Sequence, residues 1–157
     1  MHVSRLYSRD VVTIAQSRSL REAAALMGEH HVGCLIVTDD AAVNRRAIGI
    51  VTDRDLVVQA IAAGADPNET PVADVMTPQL ARISEGADAH RALERMAELG
   101  VRRLAVTRDT GEILGVLSFD DLVDGMAVEM ADLARIVRQE RTREQSAMLP
   151  GIAALAS

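Results

Sequence analysis

The sequence predicts a mixed α/β (α+β) fold, made of two β-α-β-β-α repeats packed about a pseudo-twofold axis and followed by a long C-terminal helix. Three observations predict it. The chain repeats itself, and both copies have the same order of strand-like and helix-like segments. The third is the hydrophobic content, 48% of 157 residues, which is enough for a packed core. That core must be aliphatic, because the chain has one Tyr, one Phe and no Trp.

The internal repeat covers most of the chain. Residues 20–37 (LREAAALMGEHHVGCLIV) match residues 89–106 (AHRALERMAELGVRRLAV) at a constant offset of 69. The first copy then has a longer loop around Asn44, after which residues 49–57 (GIVTDRDLV) match residues 115–123 (GVLSFDDLV). Loops tolerate insertions of this kind. We therefore interpret the chain as a tandem duplication.

Each copy begins with a short apolar segment, residues 11–14 and 80–83, which predicts a strand. An amphipathic helix follows, and Ser19 with Glu22 three residues later predicts a capping box at its start in the first copy. Two more strands joined by polar turns come next, and then a second helix with an acidic first turn. The apolar positions of the first helix are Leu20, Ala23, Ala24 and Met27 in copy one and Ala89, Ala92, Leu93 and Met96 in copy two. The later strands are predicted at 34–37, 47–51, 103–106 and 113–117, and the second helices near Asp53 and Asp120.

The last helix is predicted from about Asp120 to Ser146 and has an apolar stripe. One interpretation is that the stripe covers this chain's own core. The interpretation we favour is that part of it packs on a partner chain. The stripe consists of Met126, Met130, Leu133 and Val137.

Composition and charge exclude several classes of function. The formal net charge is −6, so the chain as a whole does not attract nucleic acid or an anionic membrane surface. The single cysteine, Cys34, excludes an intramolecular disulfide, and the start of the sequence has no apolar leader, so a cytoplasmic protein is predicted. One group of arginines near the C-terminus alternates with glutamates and is interpreted as a solvated helix face: Arg135, Arg138, Arg141 and Arg143.

A strand followed by Thr/Ser–x–x–Asp–Leu occurs in both copies, and the second copy is preceded by DVMT at residues 74–77. With these motifs the chain resembles the cystathionine-β-synthase (CBS) domain family, in particular the stand-alone bacterial pairs of the hypoxic-response type. The resemblance covers about residues 3–137. It predicts a first CBS domain, a linker, a second CBS domain and a helix end with a tail, at residues 3–66, 67–75, 76–137 and 138–157.

The resemblance implies a Bateman module, in which two domains leave clefts that bind adenosine-containing ligands. The implied ligand is AMP, ADP or ATP, with S-adenosylmethionine or NAD as further candidates, and no cofactor is required. By resemblance, Asp55 and Asp121 accept hydrogen bonds from ribose hydroxyls, and Thr52 and Ser118 contact phosphate or ribose. The base is expected between aliphatic side chains. Candidates for that wall are Thr13, Ile14, Val32, Gly33, Cys34, Ala81, Ile83, Val101 and Leu104.

The two sites differ in charge. In copy one Arg54 stands between Asp53 and Asp55 and is suited to an anion, whereas copy two has Phe119, Asp120 and Asp121 at the same positions. We therefore expect binding first at the Thr52/Asp55 site, unless an arginine of copy two reaches across. Strand alternation predicts that only one of Arg102 and Arg103 faces a cleft.

Simpler interpretations remain beside these. Thr52 and Ser118 are also suited to be N-caps, and a cap and a ligand contact can coexist. His30, His31 and Cys34 have the chemistry of zinc ligands, but strand alternation separates them and no fourth ligand is evident, so no metal is predicted.

The sequence also lacks the common catalytic motifs, so we expect a binding module and not an enzyme. The partners expected are an adenine nucleotide, a second copy in a homodimer and an unidentified effector protein. The alternative is a ligand-free dimerisation module that acts through a protein partner.

Overall fold

In the computed structural model the backbone is described for residues 1–40 and 46–155, and the side chains for the same residues up to 146. Both copies have the β-α-β-β-α order that the sequence predicts. Copy one contains β1 Thr13–Ala15, α1 Leu20–His30, β2 Cys34–Thr38, β3 Ala47–Thr52 and α2 Asp53–Asp55, which continues as a π-helix, Leu56–Ile61. After β4, Thr77–Pro78, copy two contains β5 Arg82–Ser84, α3 Ala89–Leu99, β6 Arg103–Thr107, β7 Ile113–Ser118 and α4 Phe119–Leu155. The longer loop predicted around Asn44 lies outside the described residues.

The strands form two separate sheets, with the orders β1-β2-β3-β4 and β5-β6-β7. In each sheet the first strand is parallel to the second, and the second is antiparallel to the third. The first strand of each copy begins two residues later than predicted. In copy one this is because Val11 and Val12 are half-buried but stand before the first paired residue, so their apolar character extends beyond the sheet.

Helix α1 shows why the sequence folds as it does locally. Ser19 accepts a hydrogen bond from the Glu22 backbone N–H, and the Glu22 side chain accepts one from the Ser19 N–H, so the predicted capping box is confirmed. The helix buries Leu20, Ala23 and Met27 against the first sheet. It ends at His31 in the left-handed conformation, and α3 ends at the corresponding position, Gly100, in the same conformation. The repeat is therefore preserved in the helix ends.

The short segment that precedes each copy, its leading segment, packs on the core of the other copy. Residues 1–8 pack on the second core, where Val3 is fully buried and Ser8 pairs with Val116. The corresponding segment before copy two packs on the first core, where Val72 is fully buried and β4 extends the first sheet. Residues that the sequence predicts as linker thus complete the first core, and the start of the chain completes the second.

Helix α4 extends far beyond the second core. At 1.5 Å per residue its 37 residues span about 55 Å. Leu122 is buried, whereas Met126, Met130 and Leu133 are exposed, so the stripe does not cover the chain's own core. None of the helices within residues 1–40 and 46–155 contains an apolar run that could span a lipid bilayer.

Candidate functional site

The two strand-to-helix junctions have the same hydrogen-bond pattern. Thr52 donates from its N–H (2.9 Å) and its hydroxyl (2.8 Å) to Asp55 Oδ2, and its hydroxyl oxygen accepts from the Asp55 N–H (3.2 Å). Ser118 makes the same three bonds with Asp121, at 2.7, 2.7 and 3.1 Å. Both hydroxyl residues are therefore N-caps, and one oxygen of each carboxylate is occupied by the cap.

The second carboxylate oxygens differ. Asp55 Oδ1 accepts a hydrogen bond from Gln59 Nε2 at 3.2 Å. The residue of copy two at the position of Gln59 is Gly125, which has no side chain to offer. Within the described part of the chain, Asp121 Oδ1 consequently has no hydrogen-bond donor, although the carboxylate is half-buried.

A cavity of about 570 Å³ lies between the two copies and contains residues of both junctions. Of the residues predicted from the sequence, ten line it: Thr52, Asp53, Arg54, Asp55, Ala81, Val101, Arg102, Arg103, Ser118 and Asp120. Its other lining residues, which sequence reasoning missed, are Ile50, Thr77, Gln79, Leu80 and Gly100. Strand alternation could have identified Ile50, because it stands two residues before Thr52 on the same face of β3. Copy two contributes its arginines to the cavity that contains Thr52 and Asp55.

Both Arg102 and Arg103 line this cavity, so the prediction that only one of them would face a cleft was wrong. The physical reason is that β6 begins at Arg103, and the alternation rule does not apply to a residue before the strand. The exposed Arg102 guanidinium lies 3.3 Å from Asp120 and 5.4 Å from the centre of the Phe119 ring.

The environment of Arg103 is different. Arg103 is half-buried, and its guanidinium lies against Gly33, where an added Cβ atom would be 3.1 Å from Arg103 Nη2 and 3.3 Å from Asp53 Oδ2. Among the residues that the structure describes, no carboxylate lies within 4.0 Å of the Arg103 guanidinium. Its charge is therefore not compensated by a direct ion pair.

Cys34 lies next to this arginine at the start of β2. Burial raises the pKa of its thiol, and although the positive charge of Arg103 acts in the opposite direction, the carboxylates of Asp53 and Asp121 add to the increase. A thiol with a raised pKa is protonated and weakly nucleophilic at neutral pH. No group of three or more His, Cys, Asp or Glu side chains suited to a metal ion occurs within residues 1–40 and 46–146.

The remaining predicted site residues lie elsewhere. Ile14, Ile83 and Leu104 are buried in the two cores. Thr13 and Ile14 also line a different cavity, between β1 and α1. The remaining candidates do not line the cavity between the copies: Val32, Gly33, Cys34, Phe119 and Asp121.

The chain matches known proteins along most of its length. The family model described as "CBS domain" matches residues 3–60 and 72–128. A CBS domain-containing protein of Bacillus subtilis, YhcV, is 32% identical over 125 residues, which are 79% of this chain and 85% of that protein. An uncharacterised protein of Methanopyrus kandleri is 29% identical to this chain, which spans 60% of the length of that protein.

Two of the solved structures that match this chain contain a bound nucleotide or bound metal ions. The CBS domain protein PAE2072 of Pyrobaculum aerophilum, complexed with AMP, has 25% sequence identity and a TM-score of 0.71, and the match covers 84% of this chain and 99% of that one. Hypoxic Response Protein I with two coordinated zinc ions has 27% identity and a TM-score of 0.64, with 79% and 98% covered. The repeated fold, the paired junctions and these matches lead to one conclusion: this chain belongs to the CBS domain family, as a tandem CBS pair that forms a regulatory module.

Proposed function

We propose that the module binds an adenine nucleotide in the cavity between its two CBS domains. The observation that carries this proposal is the half-buried Arg103 guanidinium, which has no ion-pair partner among the described residues and lines the same cavity as Thr52, Asp55 and Ser118. A partly buried cation without a partner favours an anionic ligand, because such a ligand replaces the lost hydration with charge-assisted hydrogen bonds. The AMP complex of the PAE2072 relative supports the choice of nucleotide.

The residues divide the ligand into two parts. Arg103 and Arg54 are the proposed phosphate contacts, because neither guanidinium has an ion pair within the described residues. Asp55 is the proposed ribose contact through Oδ1, since Oδ2 is held by Thr52. Oδ1 also accepts a hydrogen bond from Gln59, but a carboxylate oxygen has two lone pairs, so a ribose hydroxyl can donate to the same atom. The base is proposed to lie on the aliphatic side chains that line the cavity, Ile50, Leu80, Ala81 and Val101.

The guanidinium groups of the cavity predict which of the candidate ligands binds most tightly. AMP, ADP and ATP carry phosphate groups that can pair with Arg103 and Arg54, whereas S-adenosylmethionine brings a sulfonium cation toward these guanidinium groups. Like charges within a few ångströms of one another oppose binding. We therefore place the ligands with phosphate groups, AMP, ADP, ATP and NAD, before S-adenosylmethionine.

Thermal unfolding in the presence of each ligand tests the proposal. A ligand at one hundred times its Kd adds about 2.7 kcal/mol to the free energy of unfolding, which raises the midpoint by roughly 5–10 °C in a chain of this size. Arg103→Ala and Asp55→Asn should reduce this shift. Arg95→Ala is the matched control, because Arg95 is half-buried on α3, as Arg103 is on β6, and pairs with Glu98 outside the cavity. A full shift in Arg103→Ala would contradict the proposed phosphate contact.

The same measurement distinguishes this proposal from the alternative function. The exposed stripe of α4 favours a ligand-free interaction module, in which no ligand would shift the midpoint of the wild-type protein. We also propose that this nucleotide-binding module is not an enzyme and that it acts in the cytoplasm. Its bound and free states must differ in affinity for an effector protein, because a ligand acts only through differential affinity for two states.

A further inference from the structure

Helix α4 has little contact with the rest of its own chain. From Met126 to Ser146 every side chain is exposed except that of Ala134, which is half-buried. Most helices in proteins are stabilised mainly by packing of an apolar face, and not by intrinsic helix propensity. The distal part of α4 therefore requires a surface to pack on.

One face of this helix is apolar at heptad spacing. The positions alternate by three and four residues, as in the seam of a coiled coil. The exposed fractions of these side chains lie between 41% and 67%. The side of α4 that meets its own domain is a neighbouring face, on which Gly125 lies against Leu6 and Met1. The stripe of Met126, Met130, Leu133 and Val137 continues at the same spacing back to Val123.

The charges of α4 are divided along its length. Its first part, residues 119–133, has acidic residues and no basic ones, whereas residues 134–146 have four arginines and two glutamates. A parallel, in-register pair of such helices would place acid beside acid. It would also continue the seam into Glu140 and Glu144, which occupy the next two heptad positions after Val137. An antiparallel pair places the acidic part of each helix beside the basic part of the other.

We propose that α4 packs antiparallel on α4 of a second copy of this chain through the stripe. Heptad layering places Met130 against Leu133 of the second copy and Met126 against Val137 of the second copy. The apolar overlap ends where Glu140 begins. This inference does not depend on nucleotide binding, since the stripe contains no residue of the cavity between the domains. It explains why one chain carries both an exposed apolar stripe and a separation of charge along the same helix.

The oligomeric state of charge-inserting variants tests the contact. In sedimentation equilibrium at micromolar concentration the wild-type chain should be a dimer, and Leu133→Glu should raise the dimer Kd by about 100-fold or more, because it buries an unpaired charge in the seam. Val128→Glu is the matched control. Val128 is 63% exposed on the opposite face of α4, so this variant should remain a dimer. A monomeric wild type, or a Leu133→Glu variant that dimerises like Val128→Glu, would overturn the proposal.

The orientation is tested separately by a distance between spin labels. The label is placed at Ser146→Cys in a Cys34→Ser background, which leaves one labelled site in each chain. The antiparallel pair predicts a separation of about 45 Å from the helical rise, whereas a parallel pair predicts about 10 Å, the ordinary distance between packed helix axes. A short separation in a dimer that Leu133→Glu disrupts would show that the stripe is the contact but that the charge argument is wrong.

Discussion

Replacing Gly49 or Gly115 by alanine should weaken the attachment of the exchanged leading segments. At Gly49 in β3 an added Cβ would lie 2.6 Å from the backbone oxygen of Thr77 and 3.1 Å from the sulfur of Met76. Ordinary contacts begin at 3.4 Å, so the Thr77 carbonyl must retreat by about 0.8 Å, the difference between the two distances. At Gly115 in β7 the added atom would overlap the Ser8 backbone oxygen and the Tyr7 ring.

The obstacle at both positions includes a backbone atom, which cannot rotate away as a side chain can. We expect each variant to lose about 1–3 kcal/mol of stability, as overpacked cores do, with Gly115→Ala the more severe. The midpoint of thermal unfolding, followed by circular dichroism without ligand, should fall by roughly 3–10 °C. Gly28→Ala is the control, since nothing lies within 4 Å of its added Cβ and alanine favours the α1 helix by about 1 kcal/mol. Unfolding of the Gly49 and Gly115 variants at or above the wild-type midpoint would refute the argument.

Two further predictions concern titratable groups. The Cys34 thiol should react slowly with a disulfide reagent at neutral pH in the native protein and rapidly after unfolding, because burial raises its pKa; rapid reaction of the native protein would contradict this. The hydrogen bond from the Ser19 N–H lowers the pKa of Glu22 below its ordinary value of 4.5, so the stabilisation by this carboxylate is present above that value and is lost as the pH falls through the lower, folded-state value. Urea unfolding should consequently show Glu22→Gln to be less stable than wild type at neutral pH, and the two should converge in acid; a difference that stays constant with pH would exclude this account.

Much of the fold could be predicted because the two copies of the repeat show the same order of strand-like and helix-like segments. The pattern of apolar segments that both copies share identified the strands and helices, and the capping box of Ser19 and Glu22 identified the start of α1. The exchange of leading segments was not predicted. Val3 and Val72 stand at the same repeat offset, but their segments are short, and Val72 stands inside the predicted linker. Nothing local in a sequence tells which core a short apolar segment will join.

The parts of the candidate site that depend on local sequence were predicted, whereas the contacts between the two copies were not. The Thr/Ser–x–x–Asp motif identified both junctions, because the residues that cap these helices are only three positions apart in the sequence. The meeting of Arg103 with Gly33 and Asp53 depends on how the two copies pack, which no local pattern records. The occupation of Asp55 Oδ1 by Gln59 was within reach of sequence reasoning, since the two residues are four apart at the start of a helix.

The exchanged segments bear on how the protein unfolds. Each hydrophobic core combines residues of one copy with the leading segment of the other copy. Neither core is therefore complete unless the other half of the chain is folded as well. Two small cores that were merely tethered would melt as independent units, each at its own temperature. Here the loss of one half removes a buried valine, Val3 or Val72, from the other half, and the two cores are expected to unfold in a single cooperative transition. For the same reason, two fragments produced by cleavage between residues 62 and 70 should recover the fold only when they are mixed.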